Sequence, residues 1–318
     1  MYKKLFYSLV GCFITFGLFS CEDKPKSGRT DTRTSGEITI AVDESFSPIM
    51  EELIQVYEAL NPKTKINALY TDEVNAVNLV LSDSMYMAVT SRRFTQEEFD
   101  NLKARDMLPE MVPLAYDGMA LICNNQNTDS CITAENVRRI LAGEVKNWNE
   151  INKGSNKGEI WVCFDNKSSS AVHYCVDSIL GGKPINSPNI FAAQTSKEVI
   201  DYVEKTPNAI GIIGSNWLND KRDTTNVTFH KNITVMKVSR MDSATVQNSW
   251  RPYQYYIYNG NYPLIRTIYA LLNEPRSGLP TSFAHFCRLP RGQMIIHRAG
   301  LLTIQASMNV RNVIVNRE

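Results

Sequence analysis

The sequence predicts an α/β protein of two lobes, each a mostly parallel sheet flanked by helices, joined by a two-crossing hinge. Three observations carry this expectation. Strand and helix patterns alternate along the chain, one extended apolar stretch is too long for an ordinary strand, and a second strand–helix series is inserted between two parts of the first.

Ile38, Ile40 and Val42 alternate with Thr39 and Ala41, the period of a strand. Ser47-Pro48 then supplies a cap and a first-turn proline. Ile49, Leu53, Val56, Tyr57 and Leu60 line one helical face until Asn61-Pro62 stops it. A strand over 65–70, a short helix over 73–81 and a strand over 85–90 follow, and Thr95 with Glu98 forms a capping box that opens the next helix. This βαβαβ order implies parallel pairing with helices on both faces, and ligands on such sheets gather at the carboxyl ends of the strands. Asp43-Glu44-Ser45-Phe46, Thr71-Asp72 and Thr90-Ser91-Arg92 therefore face one crevice. Each has an ordinary explanation too: Ser45 as turn chemistry, Asp72 as a helix cap, Arg92 as a solvated charge.

The apolar stretch 112–123 reads as a crossover into a second unit. There a helix over 133–141 with Gly143 as its stop, a strand over 161–164, a Gly181-Gly182 break, a helix over 196–204 and a strand over 209–213 repeat the alternation. Strands over 234–238 and 262–272 lead back, and helical signals near 281–289 and 293–298 end the chain. The expected lobes are 37–122 with 236–318, and an inserted 123–235. Tyr253, Tyr255, Tyr256 and Tyr258 near Trp250 have the alternating spacing of a strand face.

Lys3 and Lys4 precede an uncharged, mostly apolar run over 5–19, which ends at Ser20-Cys21. A span needs about 20 apolar residues, so the run reads as a secretory signal. Residues 1–20 are the expected signal, and 21–36, with few apolar side chains, the expected tether. Removing Lys3 and Lys4 leaves 32 of the 34 basic residues against 33 acidic, a net charge of −1. A near-neutral body gives no bulk attraction to nucleic acid. Beyond Cys12 and Cys21 there are Cys123, Cys131, Cys163, Cys175 and Cys287; Cys123 with Cys131 is the most plausible local disulfide. No CxxC or clustered Cys/His spacing suggests a metal, and nothing suggests a cofactor.

The segment after the 161–164 strand is the most informative. Ser168, Ser169 and Ser170 fill a polar turn that opens a helix, where unpartnered amides and the positive helix end converge on a small volume suited to an anion. Taken alone, one serine as an N-cap with the others as solvated turn residues is the commoner explanation, because serine is a preferred cap whatever the function. His173 lies one turn further on.

Leu141-Ala-Gly-Glu-Val-Lys-Asn-Trp148-Asn-Glu-Ile, the strand and serine turn, Asn208-Ala-Ile-Gly-Ile, Tyr262-Pro263-Leu-Ile-Arg266 and Gly292-Gln293 together resemble the PstS-like phosphate-binding proteins of bacterial ABC importers. Their order covers nearly the whole body. The arrangement around Cys21 is similar to a bacterial lipoprotein signal, which implies lipidation of that cysteine and a place in the cell envelope, periplasmic or surface-exposed. The resemblance implies a periplasmic-binding-protein-like fold of type II and a monomer that holds phosphate, or a related oxyanion, between its lobes for ABC permease subunits. It implies ligand contacts at Ser45, Phe46, Thr71, Ser91, Arg92, Ser168, Ser169 and Ser170. Two positions depart from the family: its arginine before the serine turn is Phe164 here, and its aspartate after the third strand is Arg92. Arg92 is expected to restore the missing guanidinium from the opposite lobe.

Two other classes compete. A serine hydrolase would need more than Ser168–Ser170 near His173, and no GxSxG elbow is present. A surface or periplasmic lipoprotein that keeps the fold for sensing or adhesion, with a changed ligand, is the alternative function.

Overall fold

A computed structural model describes residues 29–218 and 233–305. The expected signal and Cys21 lie outside the described residues.

The first series is built as its patterning requires. Strand β1 (Gly36–Asp43) pairs in parallel with β2 (Thr64–Thr71) and β3 (Met87–Thr90). Between them run α1 (Ser47–Leu60) and α2 (Glu73–Leu81), and α3 (Gln96–Lys103) follows β3. The Thr95–Glu98 capping box of α3 is present with both of its bonds. Ser47 is not the cap of α1, as its sequence suggested. The 3-10 turn Glu44–Phe46 runs directly into the helix, so Ser47 is already helical and Asp43 caps the turn instead.

Strand β4 (Leu108–Asn124) is the long crossing strand, 17 residues without a break. Its first part pairs antiparallel with β11 (Ile265–Glu274), from Leu108 opposite Glu274 to Gly118 opposite Ile265. From Met119 onward its partner is β8 (Ala209–Gly214), then β9 (Ile233–Val235). Strand β8 continues in parallel to β6 (Trp161–Phe164) and β7 (Ile190–Ala192). One strand thus belongs to both halves of the order β2-β1-β3-β11-β4-β8-β6-β7, while β12 (Leu302–Thr303) pairs with its first part.

Apolar side chains follow this division. Val42, Phe46, Leu53 and Ile268 meet α9 (Leu279–Arg288) and α10 (Pro290–Arg298) on one face of the first half, with Val77, Val80 and Leu102 on the other. In the second half Met119, Leu121, Ile140 and Phe164 gather with fully buried Trp148 under α4 (Ala134–Leu141) and α5 (Trp148–Ile151). Ile122, Cys163 and Ile213 meet Val199 and Val203 of α7 (Ser196–Lys205). Helix α6 (Ser170–Tyr174) continues as a turn of π-helix to Ile179. Four buried faces around a shared strand give the two-lobe architecture.

Several expectations are corrected. The 234–238 strand is two, because β10 (Lys237–Ser239) leaves β4 to pair with β5 (Cys131–Thr133). The tyrosines around 253–258 form no strand face: Tyr253 is the N-cap of α8 (Gln254–Tyr258) and the others lie on it, its turn closing by the Ile257 amide donating to the Tyr253 carbonyl, with Ile257 buried. All five described cysteines are free, Cys123 and Cys131 included. Asp31–Ser35, expected in the tether, are docked: the Leu279 amide donates to Asp31 Oδ2 at 2.9 Å and the Tyr57 hydroxyl to the Arg33 carbonyl at 3.2 Å. Polar residues order here through hydrogen bonds rather than apolar burial.

Candidate functional site

The carboxyl ends of β1 and β6 face each other across the two halves. After β6, Asp165 accepts the amide of Asn166, and Asn166 Oδ1 accepts that of Ser168, which turns the chain so that Ser169 caps α6 through the Val172 amide. Ser169 and Ser170 are buried by this turn, while Ser168 is left exposed. After β1, Asp43 Oδ1 accepts the Ser45 amide at 3.0 Å, which fixes the 3-10 turn and aims the Ser45 hydroxyl at the serine turn.

A directed chain of hydrogen bonds joins the two. Arg266 Nη1 donates to Ser170 Oγ at 2.7 Å, Ser170 Oγ donates to Ser45 Oγ at 3.4 Å, and Ser45 Oγ donates to Asp165 Oδ2 at 2.6 Å. The Ser170 amide donates to Asp43 Oδ2 at 3.0 Å. Ser45 and Ser170 are fully buried, so every one of these groups must find its partner inside the protein.

Arg266, on β11, is the guanidinium of this site and is 4% exposed. Its Nε donates to Asp117 Oδ2 at 2.9 Å, and its Cζ sits 4.6 Å from the centre of the Phe46 ring. Asp117 is held in turn by the Ser215 amide and hydroxyl at 2.9 and 2.8 Å. Arg266 Nη2 and Asn216 Oδ1 have no partner. A Cβ on Gly214 would come within 2.6 Å of Asn216 Oδ1, 2.8 Å of Asp117 Oδ2 and 2.9 Å of Arg266 Nη2, so only glycine lets β8 approach so closely.

The first loop holds the opposite half by further bonds. Glu44 accepts the Ser196 amide and hydroxyl, while Asn216 Nδ2 and Trp217 Nε1 both donate to the Ser45 carbonyl at 3.0 Å. Burial, with Asp165 and Glu73 nearby, pushes the Asp43 carboxyl well above its ordinary range, and burial pushes Glu44 up to about 7.

The other flank lies beyond β3. Buried Glu73 accepts the amides of Ser91 and Arg92 and the Ser91 hydroxyl on one oxygen, and meets His173 Nδ1 at 2.7 Å with the other. Burial opposes the Glu73 charge, but the His173 and Ser91 bonds outweigh it and hold the carboxyl below its ordinary value. The same bond raises His173. A cavity of about 300 Å³ beside this pair is lined by Ser91, Arg92, His173, Tyr174, Arg266 and Tyr269.

The structure therefore brings Ser45, Phe46, Ser169 and Ser170 together and sets Ser91 on Glu73. Arg92 does not bring its guanidinium to the serine turn: both of its terminal nitrogens are on Glu98, at 2.8 and 2.9 Å, because that carboxylate is fixed by the capping box. Thr71 accepts from Asn75 Nδ2, and Asp72 is the cap of α2. Arg266, Asp117 and Asp165 were missed as site residues. Their signal was present: Asp117 and Arg266 are opposite charges within largely apolar strands, and a charge buried there needs a partner. Among the described residues no group of His, Cys, Asp and Glu could hold a metal, and no helix is long and apolar enough to cross a membrane.

Two sheet halves sharing a strand, with polar turns from both meeting at their carboxyl ends, define a two-lobe fold of the periplasmic-binding-protein kind. The chain belongs to the PBP superfamily domain, whose profile matches residues 27–288, and it is a PstS-like member. It is 24% identical over 277 residues to the phosphate-binding protein PstS of Borreliella burgdorferi, covering 84% of this chain and 90% of that protein. A phosphate ABC transporter substrate-binding protein of Clostridium perfringens, solved with bound phosphate, superposes with a TM-score of 0.69 at 20% identity, over 85% of this chain and all of the other. A phosphate transport receptor of Vibrio cholerae gives 0.62 at 21% identity, over 84% and 100%. At these identities the solved structures establish the fold. The relatives it matches are named as phosphate-binding and phosphate-transport proteins, not as enzymes.

Proposed function

We propose that the protein captures an oxyanion, phosphate first, in the cleft between its halves and delivers it to an ABC importer. The observation that supports this reading is Arg266: a buried guanidinium, fixed by Asp117, donating to the first helical serine of the turn where the family has its own anion-binding serine. Arg266 takes the part that Phe164 cannot play and that Arg92, held by Glu98, does not. Ser45, Phe46, Ser169 and Ser170 complete the cradle; Thr71, Ser91, Arg92 and Ser168 stand at its margin.

Capture follows from closure. The two halves, 37–122 with 236–318 and 123–235 in the sequence reading, rotate about β4 where its partner changes between Gly118 and Met119. Phosphate favours the closed form because only there do both halves contact it. Cys21 carries the lipid that holds the monomer in the cell envelope, within reach of the permease. The crowding of Asp43, Glu44, Glu73 and Asp165 favours a second reading, a sensing or adhesion lipoprotein with a changed ligand. Titration with phosphate, sulfate and molybdate separates the two. Saturable binding of one oxyanion supports import, and silence from all three in folded protein supports the second reading.

A further inference from the structure

Both acidic residues of the first loop end on donors from the opposite half. Asp43 Oδ2 takes the Ser170 amide at 3.0 Å, and Glu44 Oε2 takes the Ser196 amide at 3.1 Å and its hydroxyl at 3.0 Å. Amides and hydroxyls at the first turn of a helix are the donors that an oxyanion uses, and a carboxyl group presents them with the same kind of oxygen edge. The Ser45 hydroxyl on Asp165, and the Asn216 and Trp217 side chains on the Ser45 carbonyl, draw the same loop into the same place. This closure is complete with protein groups alone: Asp43 is 1% exposed.

We propose that Asp43 and Glu44 set the anion affinity of this protein as internal stand-ins for its ligand. They shut the cleft on their own carboxyl groups, and an oxyanion is captured by displacing them. The displacement step rests on the oxyanion reading above, whereas the self-closure does not. A fraction of the protein that is shut on itself is unavailable to the anion, so the stand-ins weaken the apparent affinity by that fraction.

Self-closure is linked to protons. Asp43 faces Asp165 from the turn after β6, Glu73 from α2 and Arg266 from β11; Glu44 faces Asp165 and Glu198 of α7. Buried among these, both carboxyl groups are raised, Glu44 to about 7, whereas in an open cleft they return to about 4. The shut form thus holds protons that the open form releases. Its advantage is full below about pH 4 and is lost as pH rises toward 7. The His173–Glu73 pair crosses the same cleft, with Asp177 and Arg92 also facing His173. Because His173 is raised, its contribution is lost as pH rises through that raised value, so both effects open the cleft in the same direction.

The test is small-angle scattering of the full chain without added anion at pH 5 to 8, with Asp43→Asn and Asp43→Ala. The radius of gyration of the wild type should increase with pH. Asp43→Asn keeps an acceptor oxygen that cannot ionise and should expand less with pH than the wild type, retaining only the part due to Glu44 and His173; Asp43→Ala should be expanded already at pH 5. A radius that ignores pH in the wild type, or identical behaviour of the two variants, overturns the proposal. With inorganic phosphate, Asp43→Ala should bind about tenfold tighter than wild type. Loss of binding in that variant alone would make Asp43 a ligand contact and also overturn it. No phosphate binding by any variant contradicts the oxyanion reading, and the scattering series then decides self-closure by itself.

Discussion

Arg266 lies on β11 and Arg92 in the loop that follows its neighbour β3, yet they do opposite work. The Arg266 side chain is 2% exposed, held by Asp117 and pressed on Phe46; that of Arg92 is 22% exposed and spent on a helix cap. Both are arginines at the ends of strands that face one cleft. What separates them is the next element. Arg266 projects from the first residues of a fixed ladder with a buried carboxylate opposite, while Arg92 sits in a short loop where Glu98 takes its guanidinium. Charge at a cleft therefore serves the ligand only where the local hydrogen bonds leave it aimed inward.

The largest way to break this contrast is Arg266→Ala, which strands Asp117 as a buried charge. Stability should fall by roughly 3–5 kcal/mol in chemical denaturation. Phosphate affinity should fall at least about a hundredfold, the loss of a charge-assisted donor in a buried site. Gly214→Ala forces a Cβ into the same pair and should cost about 1–3 kcal/mol, with weakened binding, by the same measurements. Ser170→Ala removes one relay hydroxyl but keeps the amide, and should cost about 0.5–1.5 kcal/mol with a drop in affinity of about tenfold. Arg92→Ala should change stability by about 1 kcal/mol or less and affinity by no more than about threefold. Equal effects of the two arginines would erase the distinction.

A finer test uses pH. His173 is raised by its bond to Glu73, so the stabilisation it supplies is present below its ordinary value and lost as pH rises through the raised one. The melting temperature should fall as pH rises above His173's ordinary value of about 6.5. His173→Gln should flatten that slope; an unchanged slope would remove the pair from the account.

Most of the scaffold was legible because it rests on local rules. Helix α2, the Thr95 cap, the Gly143 stop, with φ +75°, and the long crossing strand all follow from periodicity and turn chemistry. The tyrosines at 253–258 misled because alternate spacing over six residues fits either a strand or one and a half helical turns, and only the surrounding contacts choose. The site was half legible for a similar reason. Ser45 and Ser170 announce themselves by their turns, but the partner of each is more than 90 residues away. Position relative to a strand end shows that Arg92 faces the crevice; it does not show that Glu98 takes the guanidinium first.

The central claim is that Arg266 carries the anion site, and calorimetric titration of the wild type and Arg266→Lys with phosphate tests it most directly. Lysine keeps a positive charge for Asp117 but lacks the fork that reaches Ser170 and a ligand together. The account predicts saturable binding at one site in the wild type and a loss of at least about tenfold in the folded variant. Wild-type affinity in Arg266→Lys, or no binding of phosphate by the folded wild type, would contradict it.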